Sequence, residues 1–114
     1  KLDNFCAIID NNGLQIDGDV AKVMNPYPIA EKLRAFGFAV AEIDGNDFDQ
    51  LEAAFTLARG TKGVPFAIVM KTVKGKGVSY MDNNAGWHGK APNDEEYETA
   101  MKELRAQLAE VEAM

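Results

Sequence analysis

The chain has 114 residues, 46% of them hydrophobic and 26% charged, and a formal net charge of −6 at pH 7. Basic side chains are scattered and outnumbered by acidic ones, which argues against nucleic acid as a partner. No apolar stretch is long enough to span a bilayer and no signal-peptide pattern occurs, so we expect no membrane partner and a cytoplasmic location. The single cysteine, Cys6, cannot form an internal disulfide, and we expect it to be a small buried side chain.

The first part of the chain predicts a strand, a helix and a second strand. Residues 5–10, FCAIID, are an apolar run that ends in a turn cluster, as a buried parallel strand does. Residues 14–24 follow no clear period. Residues 29–36 show helical spacing between a proline and a glycine, and residues 38–43, FAVAEI, predict the second strand.

The remaining chain predicts a helix, a strand, a long loop and a final helix. Asp47 can cap the first of these helices, with Gln50 in capping-box position and Phe48, Leu51, Phe55 and Ala58 as its apolar face. Residues 66–70, FAIVM, predict the third strand, and residues 71–92 form a glycine-rich segment typical of a functional or disordered loop. Asn93 can cap the last helix. We expect its apolar stripe to pack in a core or against another polypeptide chain: Tyr97, Met101, Leu104, Leu108 and Val111.

Strands that alternate with helices predict an α/β fold, with a parallel sheet and flanking helices. Residues 1–114 would form one partial domain of this kind. Ligands of such sheets bind outside the carboxyl ends of the strands. The loops after the first and third strands should lie on the same edge, and both are rich in polar residues and glycine.

The loop after the first strand, DNNGLQIDG, could supply oxygen ligands to a metal. Asn12 offers an amide oxygen, and a following backbone carbonyl could offer a second. Mg²⁺ prefers six oxygen ligands and often takes some of them from a phosphate. By itself, however, Asn-Asn-Gly after a strand is also an ordinary turn sequence.

The long loop carries the only histidine, His88, which could donate to a phosphate or move protons near neutral pH. Lys74 and Lys76 stand among glycines and could suit an anion, although the spacing is not that of a P-loop. The alternative is a flexible, solvated loop in which His88 is a plain surface residue.

The sequence closely resembles transketolase over nearly the whole chain. The resemblance depends on three segments in combination and in this order: NNGLQIDG, AEKLRAFGFAVAEIDGND and KTVKGKGVSYMDNNAGWHGKAPN. The resemblance implies the second half of a thiamine-diphosphate-binding domain, with thiamine diphosphate and Mg²⁺ as cofactors. It implies that Asn12 and the backbone carbonyl of Leu14 bind the metal and that Ile16 packs near the thiamine. It also implies that His88 contacts the diphosphate and serves catalysis by orienting the substrate or the phosphate.

The implied activity is that of a transferase in the pentose phosphate pathway. A two-carbon ketol unit passes from a ketose phosphate to an aldose phosphate, and the cofactor performs the carbanion chemistry. Two alternatives remain. One is another thiamine-diphosphate enzyme such as a deoxyxylulose-phosphate synthase, which shares a KGKG-like loop. The other is a non-catalytic binding or assembly module.

The sequence departs from the family pattern by an omission. The Gly-Asp-Gly whose aspartate binds magnesium in transketolases does not occur before Asn12. This favours a cut fragment over a naturally split subunit. We expect the chain alone to be inactive and to bind thiamine diphosphate weakly or undetectably. Expected partners are the missing upstream segment and a pyrimidine-binding domain or subunit. An exposed sheet edge should also promote a homo-oligomer.

Overall fold

The computed structural model describes residues 1–114. Its strands are β1 (Cys6–Asn11), β2 (Leu14–Gln15), β3 (Gly18–Asp19), β4 (Ala39–Asp44) and β5 (Phe66–Lys71). Its α-helices are α1 (Val20–Val23), α2 (Ile29–Ala35), α3 (Phe48–Gly60) and α4 (Asp94–Glu112), and a 3₁₀ turn covers Ala85–Trp87. Every strand and helix expected from the sequence is present. No helix combines the length and the apolar character needed to cross a membrane.

The main sheet contains β1, β5 and β4 in that order, and all its pairings are parallel. At its carboxyl edge, Asn11 and Asp44 both stand beside Lys71 in register. The three strands therefore end at one level, and the two strands that lead into the candidate loops are neighbours. The predicted α/β fold with a parallel, helix-flanked sheet is confirmed.

The core is centred on β5, the middle strand of the sheet. Phe66 is 4% exposed and Ile68 is fully buried, and both pack against Ala54 of α3. Further partly buried side chains surround them: Ala39, Ala41, Ile43, Ala58 and Met70. The apolar sequence of β5 follows from this position, because a central strand is covered on both faces.

The molecule is open and plate-like. Its radius of gyration is 17.2 Å and its extents are 50 × 40 × 17 Å. A compact chain of this length would have a radius of gyration of about 13 Å. Only 8 of 114 residues are buried, and five of them lie in β5 and α3.

Three expectations about single side chains are wrong. Cys6 is exposed, because β1 is an edge strand and α3 packs on β4 and β5 instead. Phe48 is 86% exposed, since the buried face of α3 contains Ala54 and Phe48 projects from another side of the helix. Gln50 completes no capping box: its Oε1 accepts the N–H of Asp44 at 2.9 Å. Asp47 alone caps α3.

The aperiodic residues 14–24 fold locally into a small hairpin and a short helix. β2 and β3 pair antiparallel, and Gly18 takes φ +128°, a conformation in which a residue with a Cβ is strained. Asp19 then caps α1 by accepting the N–H of Ala21 at 2.9 Å. This unit places Leu14 and Ile16 beside the end of β1.

Helix α4 begins with a capping box. Asn93 Oδ1 accepts the N–H of Glu96 and the Glu96 carboxylate accepts the N–H of Asn93, both at 2.8 Å. Ala100 is buried against the rest of the molecule. The apolar stripe expected to be covered stays open within this chain, because four of its residues are 42–65% exposed: Tyr97, Leu104, Leu108 and Val111.

Candidate functional site

A cavity of about 340 Å³ opens at the carboxyl edge of the sheet. Its lining includes all the residues for which the resemblance implies a function: Asn12, Leu14, Ile16 and His88. Gln15, Lys74 and Ala85 complete the lining. The volume falls within the range of small-molecule sites, about 300–1,000 Å³. The two loops thus meet in one cavity, while the individual functions of these residues stay predictions.

Asn12 begins a tight turn that fixes the direction of its side chain. The N–H of Leu14 donates to Asn12 Oδ1 at 2.9 Å. Gly13, between them, takes φ +74°, which glycine adopts without steric penalty. Because only the amide oxygen can accept this hydrogen bond, the contact also orients the amide group. The oxygen keeps a second lone pair with which it can bind a cation.

The neighbouring Asn11 has a different contact. The hydroxyl of Tyr27 donates to Asn11 Oδ1 at 2.9 Å. Lys32 Nζ donates to the carbonyl of Tyr27 at 3.2 Å, which holds this segment before α2. Of the two asparagines, only Asn12 lines the cavity.

Hydrogen bonds tie the start of the long loop to both neighbouring strands. The hydroxyl of Thr72 donates to Asp10 at the end of β1. The N–H of Val73 donates to Asn46 Oδ1, after β4, at 3.1 Å. Lys74 follows directly and therefore leaves the sheet at a defined position beside the cavity.

His88 follows the 3₁₀ turn, which Asn84 caps by accepting a backbone N–H at 2.9 Å. The preceding residue, Trp87, packs on Tyr80 with ring centroids 5.1 Å apart. Its indole N–H also donates to the carbonyl of Tyr80 at 3.1 Å. These contacts hold the backbone at His88, and the exposed imidazole can meet a ligand in the cavity.

Lys74 is a cavity residue that sequence reasoning did not select as a site residue. The sequence offers Lys74 and Lys76 as equal anion-binding candidates, but Lys76 is exposed and does not line the cavity. The N–H of Asn83 donates to the carbonyl of Lys74 at 2.8 Å and closes the loop there. The available signal was distance from the sheet, since Lys74 stands only three residues after the end of β5.

The cavity lining has no carboxylate; its basic side chains are those of Lys74 and His88. This set of donors suits an anion such as a diphosphate. The amide oxygen of Asn12 and the carbonyl of Leu14 are neutral, hard ligands that suit Mg²⁺. The chain has no group of three or more His, Cys, Asp and Glu side chains arranged to hold a metal. The lining therefore fits the diphosphate side of a cofactor and part of the coordination sphere of Mg²⁺.

Comparison with known proteins shows the family of the chain. The family model described as "Transketolase, thiamine diphosphate binding domain" matches residues 1–110. The chain belongs to the transketolase family. The transketolase of Campylobacter jejuni superimposes with a TM-score of 0.81 at 32% identity, covering 90% of this chain and 16% of that one.

Among curated transketolase relatives, an apulose-4-phosphate transketolase subunit of Phocaeicola vulgatus is 38% identical over 112 residues. The alignment covers 98% of this chain and 40% of that protein. The 6-deoxy-6-sulfo-D-fructose transketolase subunit SqwG of a Clostridium species is 34% identical over 109 residues, covering 96% of this chain and 40% of that protein. The chain thus spans about 40% of these relatives. The matches do not favour a deoxyxylulose-phosphate synthase.

Proposed function

We propose that this chain contributes the diphosphate and magnesium side of the thiamine diphosphate site of a transketolase. The complete enzyme would transfer a two-carbon ketol unit from a ketose phosphate to an aldose phosphate. The observation that carries the proposal is the shared cavity, in which Asn12 and Leu14 of one loop face Lys74 and His88 of another. Membership of the transketolase thiamine diphosphate binding family supports the choice of cofactor.

Each lining residue has a chemical task under this proposal. Asn12 Oδ1 and the carbonyl of Leu14 would bind Mg²⁺, which Asn12 can do while its oxygen also accepts the N–H of Leu14. Lys74 and His88 would pair with the diphosphate oxygens. Ile16, which is 64% exposed in the chain alone, would cover the apolar part of the cofactor. When bound, thiamine diphosphate supplies the carbanion chemistry of ketol transfer.

His88 has a second task in the proposal. It is the only histidine of the chain, and the cavity that it lines contains no serine, threonine or cysteine side chain. An imidazole can donate to an anionic oxygen and can move a proton near neutral pH. We assign to it the orientation of the diphosphate and of the sugar phosphate, not a covalent step.

The composition of the lining also argues for a partner. A magnesium–diphosphate complex normally has at least one carboxylate ligand from the protein, and this cavity offers none. We propose that the carboxylate and the pyrimidine-binding part of the site come from other protein segments or subunits. Both relatives described above carry the word subunit in their names, which supports a transketolase assembled from several chains.

The same proposal includes a cytoplasmic location and a place in the pentose phosphate pathway. The unpaired Cys6 requires no oxidising compartment. The relatives act, by their names, on different sugars.

Reconstitution tests the proposed function. The chain is combined with the complementary transketolase polypeptides, and ketol transfer is measured with thiamine diphosphate and Mg²⁺. We expect transfer only when the chain is present, and its loss in His88→Ala. Lys76→Ala is the matched control, because Lys76 lies in the same loop but outside the cavity.

Two results would count against the proposed enzyme function. One is a mixture whose ketol transfer does not depend on the chain. The other is a chain that stays a stable monomer and does not bind the complementary polypeptides, as expected of a separate binding module. A His88→Ala variant as active as Lys76→Ala would remove His88 from the proposal.

A further inference from the structure

Helix α4 forms hydrogen bonds with residues 77–80 of the loop that carries Lys74 and His88. Glu103 contacts Ser79 twice: its carboxylate accepts the backbone N–H at 2.8 Å and the hydroxyl at 2.5 Å. One turn further, Gln107 Nε2 donates to the carbonyl of Gly77 at 2.8 Å. Towards the start of the helix, the carbonyl of Glu96 accepts the hydroxyl of Tyr80 at 2.7 Å.

These helix residues share one face of α4. Residues 96, 103 and 107 are separated by seven and four positions, a spacing that keeps side chains on one side of a helix. The buried Ala100 lies on the same face, and Val78, the loop residue between Gly77 and Ser79, is buried as well. The segment 77–80 is therefore fastened along α4 by hydrogen bonds.

Contacts within the loop connect this attachment to the cavity. The N–H of Asn83 donates to the carbonyl of Lys74, which closes the loop around the segment 77–80. A Cβ on Gly75 would lie only 2.5 Å from the carbonyl oxygen of Met81, so the two sides of the loop are in close contact. On the far side, Tyr80 holds Trp87, next to His88, by stacking and by a hydrogen bond.

We propose that Glu103 is a positioning residue for the cofactor cavity: by holding Ser79 it fixes the loop that presents Lys74 and His88. This inference rests on the proposed function. Glu103 touches no cavity residue and acts only through Ser79. Hydrogen bonds from the Ser79 side chain and backbone lower the pKa of Glu103, so its carboxylate is ionised and accepts both of them at neutral pH.

The test compares Glu103→Ala and Ser79→Ala with Glu98→Ala, an exposed glutamate on another face of α4. Acrylamide quenching of Trp87, the only tryptophan, reports whether the loop stays attached. Thiamine diphosphate with Mg²⁺ is then titrated into the chain assembled with its complementary polypeptides. We expect stronger quenching and about tenfold weaker cofactor binding in Glu103→Ala, at the low end of the effect of residues that orient a binding group. Ser79→Ala should show a smaller change in the same direction, because it keeps the backbone N–H that Glu103 accepts.

A double-mutant cycle separates positioning from general destabilisation. If Glu103 acts through Ser79, the variant with both substitutions binds the cofactor no more weakly than Glu103→Ala alone, which already loses both hydrogen bonds with Ser79. Glu103→Gln, which keeps one acceptor oxygen, should recover part of the affinity. Additive losses, or cofactor binding by Glu103→Ala equal to that of Glu98→Ala, would overturn the inference while leaving the proposed function intact. Absence of cofactor binding by the unsubstituted assembly would refute the proposed function instead, and the quenching would still show whether Glu103 holds the loop.

Discussion

Replacement of Asn12 separates its two contacts, one within the turn and one with a metal. In Asn12→Ala the N–H of Leu14 loses its acceptor, a partly buried hydrogen bond of 2.9 Å. Such a bond contributes about 1 kcal/mol to the free energy of unfolding. For a chain of this size, that corresponds to a fall in Tm of about 4 °C. Loss of a direct metal ligand should weaken magnesium-dependent binding of thiamine diphosphate by at least about tenfold.

Two further variants make the prediction specific. Asn11→Ala removes the neighbouring amide, whose oxygen is engaged by Tyr27 outside the cavity. We expect a comparable loss of stability but unchanged cofactor affinity. Asn12→Asp keeps an oxygen that accepts the N–H of Leu14 and adds the negative charge that the cavity lining lacks. We therefore expect near-normal stability and tighter binding of Mg²⁺ alone.

Thermal unfolding measures the first quantity, and NMR-detected titration of Mg²⁺ and thiamine diphosphate measures the second even when binding is weak. The reasoning requires opposite changes in magnesium affinity for the alanine and aspartate variants. Equal cofactor affinity in Asn12→Ala and Asn11→Ala would refute it, because the two asparagines would then be equivalent.

Three other substitutions or conditions give separate tests. Lys74→Met should weaken diphosphate binding and reduce its dependence on salt, whereas Lys76→Met should leave both unchanged, as measured by titration at two ionic strengths. The pKa of Glu103 is lowered below its ordinary value of 4.5, so its stabilising contact is complete above that value and is lost as the pH falls through the folded-state pKa. Acid titration of Trp87 fluorescence should show a transition below pH 4.5 that is smaller in Glu103→Gln; the part that persists there belongs to Glu96, whose pKa is also lowered and which pairs with Lys90 over the Trp87 ring. Ile68→Ala removes the fully buried side chain at the centre of the sheet and should lower the free energy of unfolding by about 2–5 kcal/mol in denaturant titration, while a loss under 1 kcal/mol would contradict the core described here.

The main sheet was predictable because its signals are local. Apolar runs such as residues 66–70, bounded by turns, mark strands, and helical spacing with caps such as Asp47 and Asn93 marks helices. Alternation of the two predicts parallel pairing, and the structure confirms it. The meeting of the loops after β1 and β5 at one edge follows from that topology alone.

Features that depend on tertiary contacts were not predictable. Exposure of Cys6 follows from the position of β1 at the edge of the sheet, which its own apolar sequence does not reveal. The difference between Lys74 and Lys76 depends on how the loop closes through Asn83. The attachment of that loop to α4 joins residues 24 positions apart, such as Ser79 and Glu103. No local sequence pattern predicts such a contact.

Paramagnetic broadening with Mn²⁺ in place of Mg²⁺ tests the location of the metal most directly, since both ions prefer octahedral oxygen ligands. Mn²⁺ and thiamine diphosphate are added in small amounts to the isotopically labelled chain, and the loss of NMR signal is mapped by residue. We predict the strongest losses at the Asn12 side-chain amide and the Leu14 N–H, with a weaker loss at the His88 ring. Broadening confined to acidic surface residues elsewhere, with these three signals unchanged, would contradict the proposed magnesium–diphosphate site.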